Sequence, residues 1–124
     1  MFIRDSLDIA QINLETAKLR LIKSGASSTL VKHGENLFMI NSPSFPIGIM
    51  SDPQPFEKEP DFSEGDVIIM LSDGVNESEY KYIKSVLANG KRNNVSTIAN
   101  EICRHAQETA EDDVTVIAAR LCRN

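Results

Sequence analysis

Glu64-Gly65-Asp66-Val67-Ile68-Ile69-Met70-Leu71-Ser72-Asp73-Gly74-Val75-Asn76-Glu77 decides how the rest of the chain is read. Gly65-Asp66 is turn chemistry. Val67 to Leu71 is an unbroken apolar run of strand length, and it predicts a strand covered on both faces. Ser72-Asp73-Gly74 follows at once, so a rigid element delivers a carboxylate to the edge of a sheet. Gly74 lets the backbone turn there and come close to a ligand. Two readings of Asp73 stand side by side. It caps a core strand as part of a turn, or it is placed to bind a metal ion.

Upstream, Leu7 to Leu14 alternates imperfectly, Asn13-Leu14-Glu15-Thr16 is turn-like, and Lys18 to Lys23 alternates again, which predicts a hairpin. Ser24-Gly25-Ala26-Ser27-Ser28 is a corner of small residues. Thr29 to His33 and Leu37 to Ile40, joined at Gly34-Glu35-Asn36, give a third and a fourth strand. The opening third therefore reads as an antiparallel meander. Asn41 to Pro60 holds all five prolines. It reads as an ordered loop with short extended pieces such as Ile47-Gly48-Ile49, anchored by Phe45, Met50 and Phe56.

Downstream the period changes. Tyr80, Ile83 and Leu87 lie on one helix face, which Asn89-Gly90 ends. Lys91-Arg92-Asn93-Asn94 reads as an exposed basic turn, and Asn94 is placed to cap a second helix. That helix carries an apolar stripe of Val95, Ile98, Ala99, Ile102, Cys103 and Ala106. Glu77 and Glu79 read as a solvated helix start, and His33 and His105 as surface or boundary residues. Asp112 to Leu121 closes the chain as another buried strand.

A chain of 124 residues is the size of one domain, and its net charge of −5 argues against a general nucleic-acid binder. No apolar segment is long enough to span a bilayer, and Met1-Phe2-Ile3-Arg4-Asp5 does not read as a signal peptide. Two cysteines, Cys103 and Cys122, make no disulfide framework and read as reduced, buried thiols, which suits a cytoplasmic setting. The absence of tryptophan and the few aromatics leave no stacking platform for bases.

Asp73 follows one predicted strand and Asp112 precedes another. If the two strands are antiparallel neighbours, both carboxylates lie at the same end of the sheet. Hard divalent cations such as Mg²⁺ and Mn²⁺ prefer such oxygen ligands. Carboxylate pairs also occur as solvated turns, so the spacing leaves both readings open.

Four features together resemble the C-terminal half of the PPM-type (protein phosphatase 2C-like) serine/threonine phosphatase family, most closely the bacterial branch typified by stage II sporulation protein E. They are Gly65-Asp66 with its apolar run and Ser72-Asp73-Gly74; Asp112-Asp113-Val114-Thr115-Val116; Lys23-Ser24-Gly25-Ala26-Ser27; and Phe45-Pro46-Ile47-Gly48-Ile49. They occur in the family's order over nearly the whole chain. The resemblance implies an α+β fold, a layered sandwich of two mostly antiparallel sheets with helices outside, of which residues 1–124 supply part of a single domain. It implies two Mn²⁺ or Mg²⁺ ions holding a water that attacks phosphoserine or phosphothreonine in line. Asp73 and Asp112 would be ligands of one ion. Asp113 and Thr115 would support and orient Asp112, and Gly74 would permit the approach of the loop.

The family's earlier motifs, which supply the carboxylate bridging both metals, have no match here. Asp5 and Asp8 come too late in the family order to serve. The expectation is thus a fragment of a larger phosphatase, weak in metal binding and activity by itself, and prone to self-association through sheet surface that the missing half would cover. By resemblance the substrate is a phosphorylated anti-sigma-factor antagonist in sporulation control, and the parent protein could carry a membrane anchor. Two other classes compete: a degenerate phosphatase fold that only binds a partner, and a small cation- or phosphate-binding protein. A bridging Asp-Gly motif upstream would favour the enzyme. Tight Mn²⁺ binding by the isolated chain would favour the third.

Overall fold

The computed structural model describes residues 7–41, 56–89 and 94–122. The Phe45 to Met50 loop, Gly90 and the Lys91-Arg92-Asn93 turn lie outside them. Strands β1 (Leu7–Ile12), β2 (Leu19–Ser24) and β5 (Phe56–Lys58) form one antiparallel sheet in the order β1-β2-β5. Strands β3 (Thr29–His33), β4 (Asn36–Ile40), β6 (Val67–Leu71) and β7 (Val116–Arg120) form a second, in the order β4-β3-β6-β7. Helices α1 (Tyr80–Asn89) and α2 (Val95–Gln107) cover the outer face of the second sheet. The predicted α+β sandwich with helices outside is the observed architecture.

β6 explains its own sequence. Val67, Ile69 and Leu71 point to the helices, where they pack with Ile83, Leu87, Ile98 and Ile102. Ile68 and Met70 point to the other sheet, where they meet Leu19 and Leu21 of β2, beside Val31 of their own sheet. With both faces covered, no position is left for a polar residue. Ile69 is fully buried, and each such side chain contributes about 1.5–3 kcal/mol.

The meander expected for the opening third is corrected to two hairpins in different sheets. The break falls at Ser24 to Ser28, where Gly25 takes φ +61° and the chain crosses from one sheet to the other. A small-residue corner looks the same locally whether it turns back or crosses over. The first hairpin closes on Asn13, whose side-chain oxygen accepts from the N–H groups of Glu15 and Thr16. The closing segment is also corrected. Its strand is confined to Val116–Arg120 and lies at the edge of its sheet, with Ile117 54% exposed. Both cysteines differ from the buried expectation, since Cys103 is half-buried and Cys122 exposed.

The helix boundaries follow local chemistry. Asn94 caps α2 by accepting from the Thr97 N–H at 2.8 Å. Ile98, Ile102 and Ala106 form the buried stripe of α2. Lys32, on the helix-facing side of β3 with Leu30 and opposite Val67, reaches α1, and its Nζ donates to the Leu87 carbonyl near the helix C-terminus at 2.6 Å, a favourable place for a cation. Among the described residues no helix is long and apolar enough to cross a membrane.

Candidate metal corner

The two predicted carboxylates are brought to one place. β6 and β7 are antiparallel neighbours with Leu71 opposite Val116, so Asp73 leaves the sheet where the segment from Asp112 enters it. Beyond the last strand pair, the Ser72 N–H donates to the Thr115 carbonyl at 3.0 Å. The Ser72 carbonyl is already taken by the Val75 N–H at 3.2 Å, as the loop turns back. The Ser72 hydroxyl oxygen therefore accepts the Thr115 N–H, at 2.9 Å.

Gly74 shows how close the two loops come. A Cβ at this position would lie 2.0 Å from the Asp113 carbonyl oxygen and 3.4 Å from that of Asp112. The glycine is required by the space its neighbour occupies, since its φ is not among the positive values. No side chain fits there without moving the Asp112-Asp113 backbone.

Both carboxylates are exposed and lightly engaged. Asp73 Oδ1 accepts from the Ser27 hydroxyl at 2.7 Å, and Asp112 Oδ1 accepts the Asp113 N–H at 2.8 Å. The Asp113 N–H is thus the partner of the Asp112 carboxylate, and Thr115 pairs with Ser72 through its backbone. Beside Asp73 opens a polar cleft of about 350 Å³ whose walls include Ser27, Ser28, Asn41, Glu77 and Tyr80. Exposed oxygen donors with unused lone pairs suit a hard divalent cation. Among the described residues no group of three or more His, Cys, Asp or Glu is arranged to hold an ion. The pair therefore fits part of a metal site.

Other residues expected at the surface are engaged. Glu79 is buried, which corrects the solvated helix start; its carboxylate bonds to His105 Nδ1 and the Thr109 hydroxyl. His105 also stacks on Tyr82. Glu77 is exposed, as expected. Sequence reasoning missed Ser27 as a partner of Asp73, because 46 residues separate them. It also missed Lys23, fully buried between the sheets and paired with Asp8 at 2.9 Å and with Thr29.

Residues 5–121 match the family model described as stage II sporulation protein E (SpoIIE). The chain belongs to the SpoIIE family. It is 27% identical over 132 residues to stage II sporulation protein E of Bacillus subtilis (strain 168), covering 98% of this chain and 16% of that protein. It is 29% identical over 129 residues to the Priestia megaterium protein of the same name, covering 96% of this chain and 22% of that protein. The chain thus spans about a fifth of the length of these SpoIIE relatives. Its fold matches the phosphatase domain of the cell fate determinant SpoIIE from Bacillus subtilis, in an Mn-presoaked form, with TM-score 0.77 and 26% identity. That match covers 97% of this chain and 57% of the solved one. A solved form with the PP2C phosphatase domain and a fragment of the regulatory domain matches with TM-score 0.73 and 26% identity, covering 96% of this chain and 39% of that one.

Proposed function

We propose that this chain is the C-terminal part of a metal-dependent protein serine/threonine phosphatase domain, with Asp73 and Asp112 as ligands of one divalent ion. The observation that carries the reading is the meeting of the two exposed carboxylate loops at one end of β6 and β7, with Gly74 against the Asp113 backbone. The similarity to a solved phosphatase domain supports it, and the 57% coverage of that domain leaves room for further ligands from outside this chain. Mn²⁺ or Mg²⁺ fits the donor set.

Each residue has a task in this reading. Asp73 and Asp112 hold the cation. Ser27 orients the Asp73 carboxylate through its hydroxyl, and the Asp113 N–H orients that of Asp112. Gly74 lets the two loops touch. When bound, the ion would supply positive charge to a phosphoryl group and lower the pKa of a water molecule. The cleft beside Asp73 would receive the polypeptide flanking the phosphorylated residue. The substrate in this proposal is the phosphoserine of a regulatory phosphoprotein such as an anti-sigma-factor antagonist in sporulation control.

The test uses the full-length protein and a phosphoserine substrate, with hydrolysis followed against Mn²⁺ concentration. Asp73→Asn and Asp112→Asn are expected to reduce Mn²⁺-dependent hydrolysis to background while the thermal midpoint stays within a few degrees of the wild type. Full activity in both variants would sink the assignment.

A further inference from the structure

Asp73 and Asp112 sit in loops that are joined a second time, away from the sheet. Three residues after Asp73, the Asn76 side-chain Nδ2 donates to the Thr109 carbonyl at 3.1 Å. Thr109 lies three residues before Asp112. Its hydroxyl donates to Glu79 Oε1 at 2.9 Å. The other oxygen of Glu79 takes His105 Nδ1 on the last turn of α2. The His105 ring is held in turn by Tyr82 of α1, stacked at 3.7 Å between centroids with the planes 8° apart.

The Glu79 carboxylate is 5% exposed and has a partner on each oxygen. Burying a carboxylate is costly unless it is hydrogen-bonded or paired. A salt bridge on the surface would have served to tie two helices together. A buried acid whose partners both lie at the α2 exit, immediately before the Asp112 loop, fixes the position of that exit instead. The Asp73 loop is thus closed at its root by Ser72 and Thr115 and at its far side by Asn76 and Thr109. The Asp112 loop is bracketed by the same two crosslinks.

We infer that Glu79, acting through Thr109 and His105, is a positioning residue that sets the separation of Asp73 and Asp112 and so tunes their affinity for a divalent cation. The inference rests on reading those two aspartates as ligands. It goes beyond that reading by assigning a role to Glu79, Thr109 and Asn76, none of which would touch the ion. A metal site whose ligands stand on two loops loses affinity when their spacing is allowed to vary, because binding must then order them.

The experiment measures Mn²⁺ affinity directly in the full-length protein, from the electron paramagnetic resonance signal of free Mn²⁺, together with the thermal midpoint. Thr109→Val removes the hydroxyl while keeping the shape of the side chain. It is expected to weaken Mn²⁺ binding about tenfold, the low end for groups that orient metal ligands. Thr109→Ser keeps the hydroxyl and is expected to bind like the wild type. Glu79→Gln, which preserves volume and can still accept from Thr109, is expected to fall between them. Wild-type affinity in Thr109→Val, with affinity lost in Asp73→Asn, overturns the clasp and leaves the metal corner standing. Wild-type affinity in Asp73→Asn overturns the corner and the clasp with it. Weakened binding that tracks the thermal midpoint across the three clasp variants, with no rescue by serine, reduces the clasp to a fold-stabilising contact and overturns the inference.

Discussion

Asp66 and Asp73 flank the same five-residue strand, each next to a glycine, and the structure uses them in opposite ways. Asp66 is buried. Its carboxylate accepts from the Gly34 N–H at 3.1 Å, from the Ser63 N–H at 2.8 Å and hydroxyl at 3.2 Å, and lies 2.6 Å from His33 Nδ1. These bonds tie the turn after β3 to the turn before β6. Asp73 is exposed, and among the described residues the Ser27 hydroxyl engages it. A carboxylate whose lone pairs are filled by its own chain is a structural element. One whose lone pairs stay open is available to a ligand. The glycines differ in the same sense. Gly65 is needed for its φ of +88°, which makes the turn, and Gly74 for the room it leaves another loop.

The comparison breaks most readily on stability. Asp66→Ala removes an acceptor shared by two backbone N–H groups and a histidine, and hydrogen bonds to a charged group contribute about 1.5–3 kcal/mol each. Because Gly34 and Ser63 are exposed and can be rehydrated, the total loss is expected to be about 3 kcal/mol. Asp73→Ala is expected to change stability by less than about 0.5 kcal/mol, as for other surface sites. Urea denaturation midpoints of the two variants measure the difference directly. Equal losses would mean that the two ends of β6 are not distinguished by saturation.

The same end of the strand should carry a pH signature. His33 is held above the ordinary histidine value, chiefly by its hydrogen bond to Asp66, with burial opposing and the charges of Asp66 and Asp61 adding. Burial pushes Asp66 up, but the bonds from His33, Gly34 and Ser63 outweigh it, so its carboxyl lies below the ordinary value. The raised His33 contributes fully below about pH 6.5, and that contribution is lost as pH rises through its folded value. The lowered Asp66 contributes fully above about pH 4, and is lost as pH falls through its folded value. The pair is therefore most effective between these limits. His33→Gln is expected to lie below the wild type at pH 6 and to close on it toward pH 8. A gap that is constant with pH would show that the His33 charge plays no part.

How much of this was legible in the sequence depends on the range of the interaction. The limits of β6 at Val67 and Leu71 were readable because a strand covered on both faces must be apolar throughout, and the Asn94 cap was readable because its bond spans three residues. The meeting of Asp73 and Asp112 followed once their strands were taken as antiparallel neighbours. The split into two sheets was not legible, because the Ser24 to Ser28 corner carries no mark of crossing. Nor was the burial of Glu79, whose partners lie 26 and 30 residues away. Lys23 is in phase with Leu19 and Leu21 along β2, so the strand period sends it inward. The acid that makes this tolerable, Asp8, comes from the neighbouring strand. Polar residues take their roles from partners supplied by the completed fold, whereas apolar runs declare theirs locally.

The smallest expected effect belongs to Ser27, which among the described residues is the partner of the Asp73 carboxylate. Its hydroxyl donates to Asp73 Oδ1 from the corner between β2 and β3, so a turn in one part of the sandwich aims a carboxylate in another. Both groups are reachable by water, and a water molecule can replace much of the lost bond. Ser27→Ala should therefore leave the denaturation midpoint unchanged. Its effect on Mn²⁺ affinity in the full-length protein should be no more than the ~10-fold low end seen when a group orienting a ligand is removed. Ser27→Thr, which keeps the hydroxyl, should restore the wild-type value. A loss of stability in Ser27→Ala comparable to that in Asp66→Ala would place Asp73 among the structural acids and erase the contrast between the two ends of β6. Weaker Mn²⁺ binding at unchanged stability would sharpen it, because only an acid left open to a ligand registers the loss of the Ser27 hydroxyl in affinity alone.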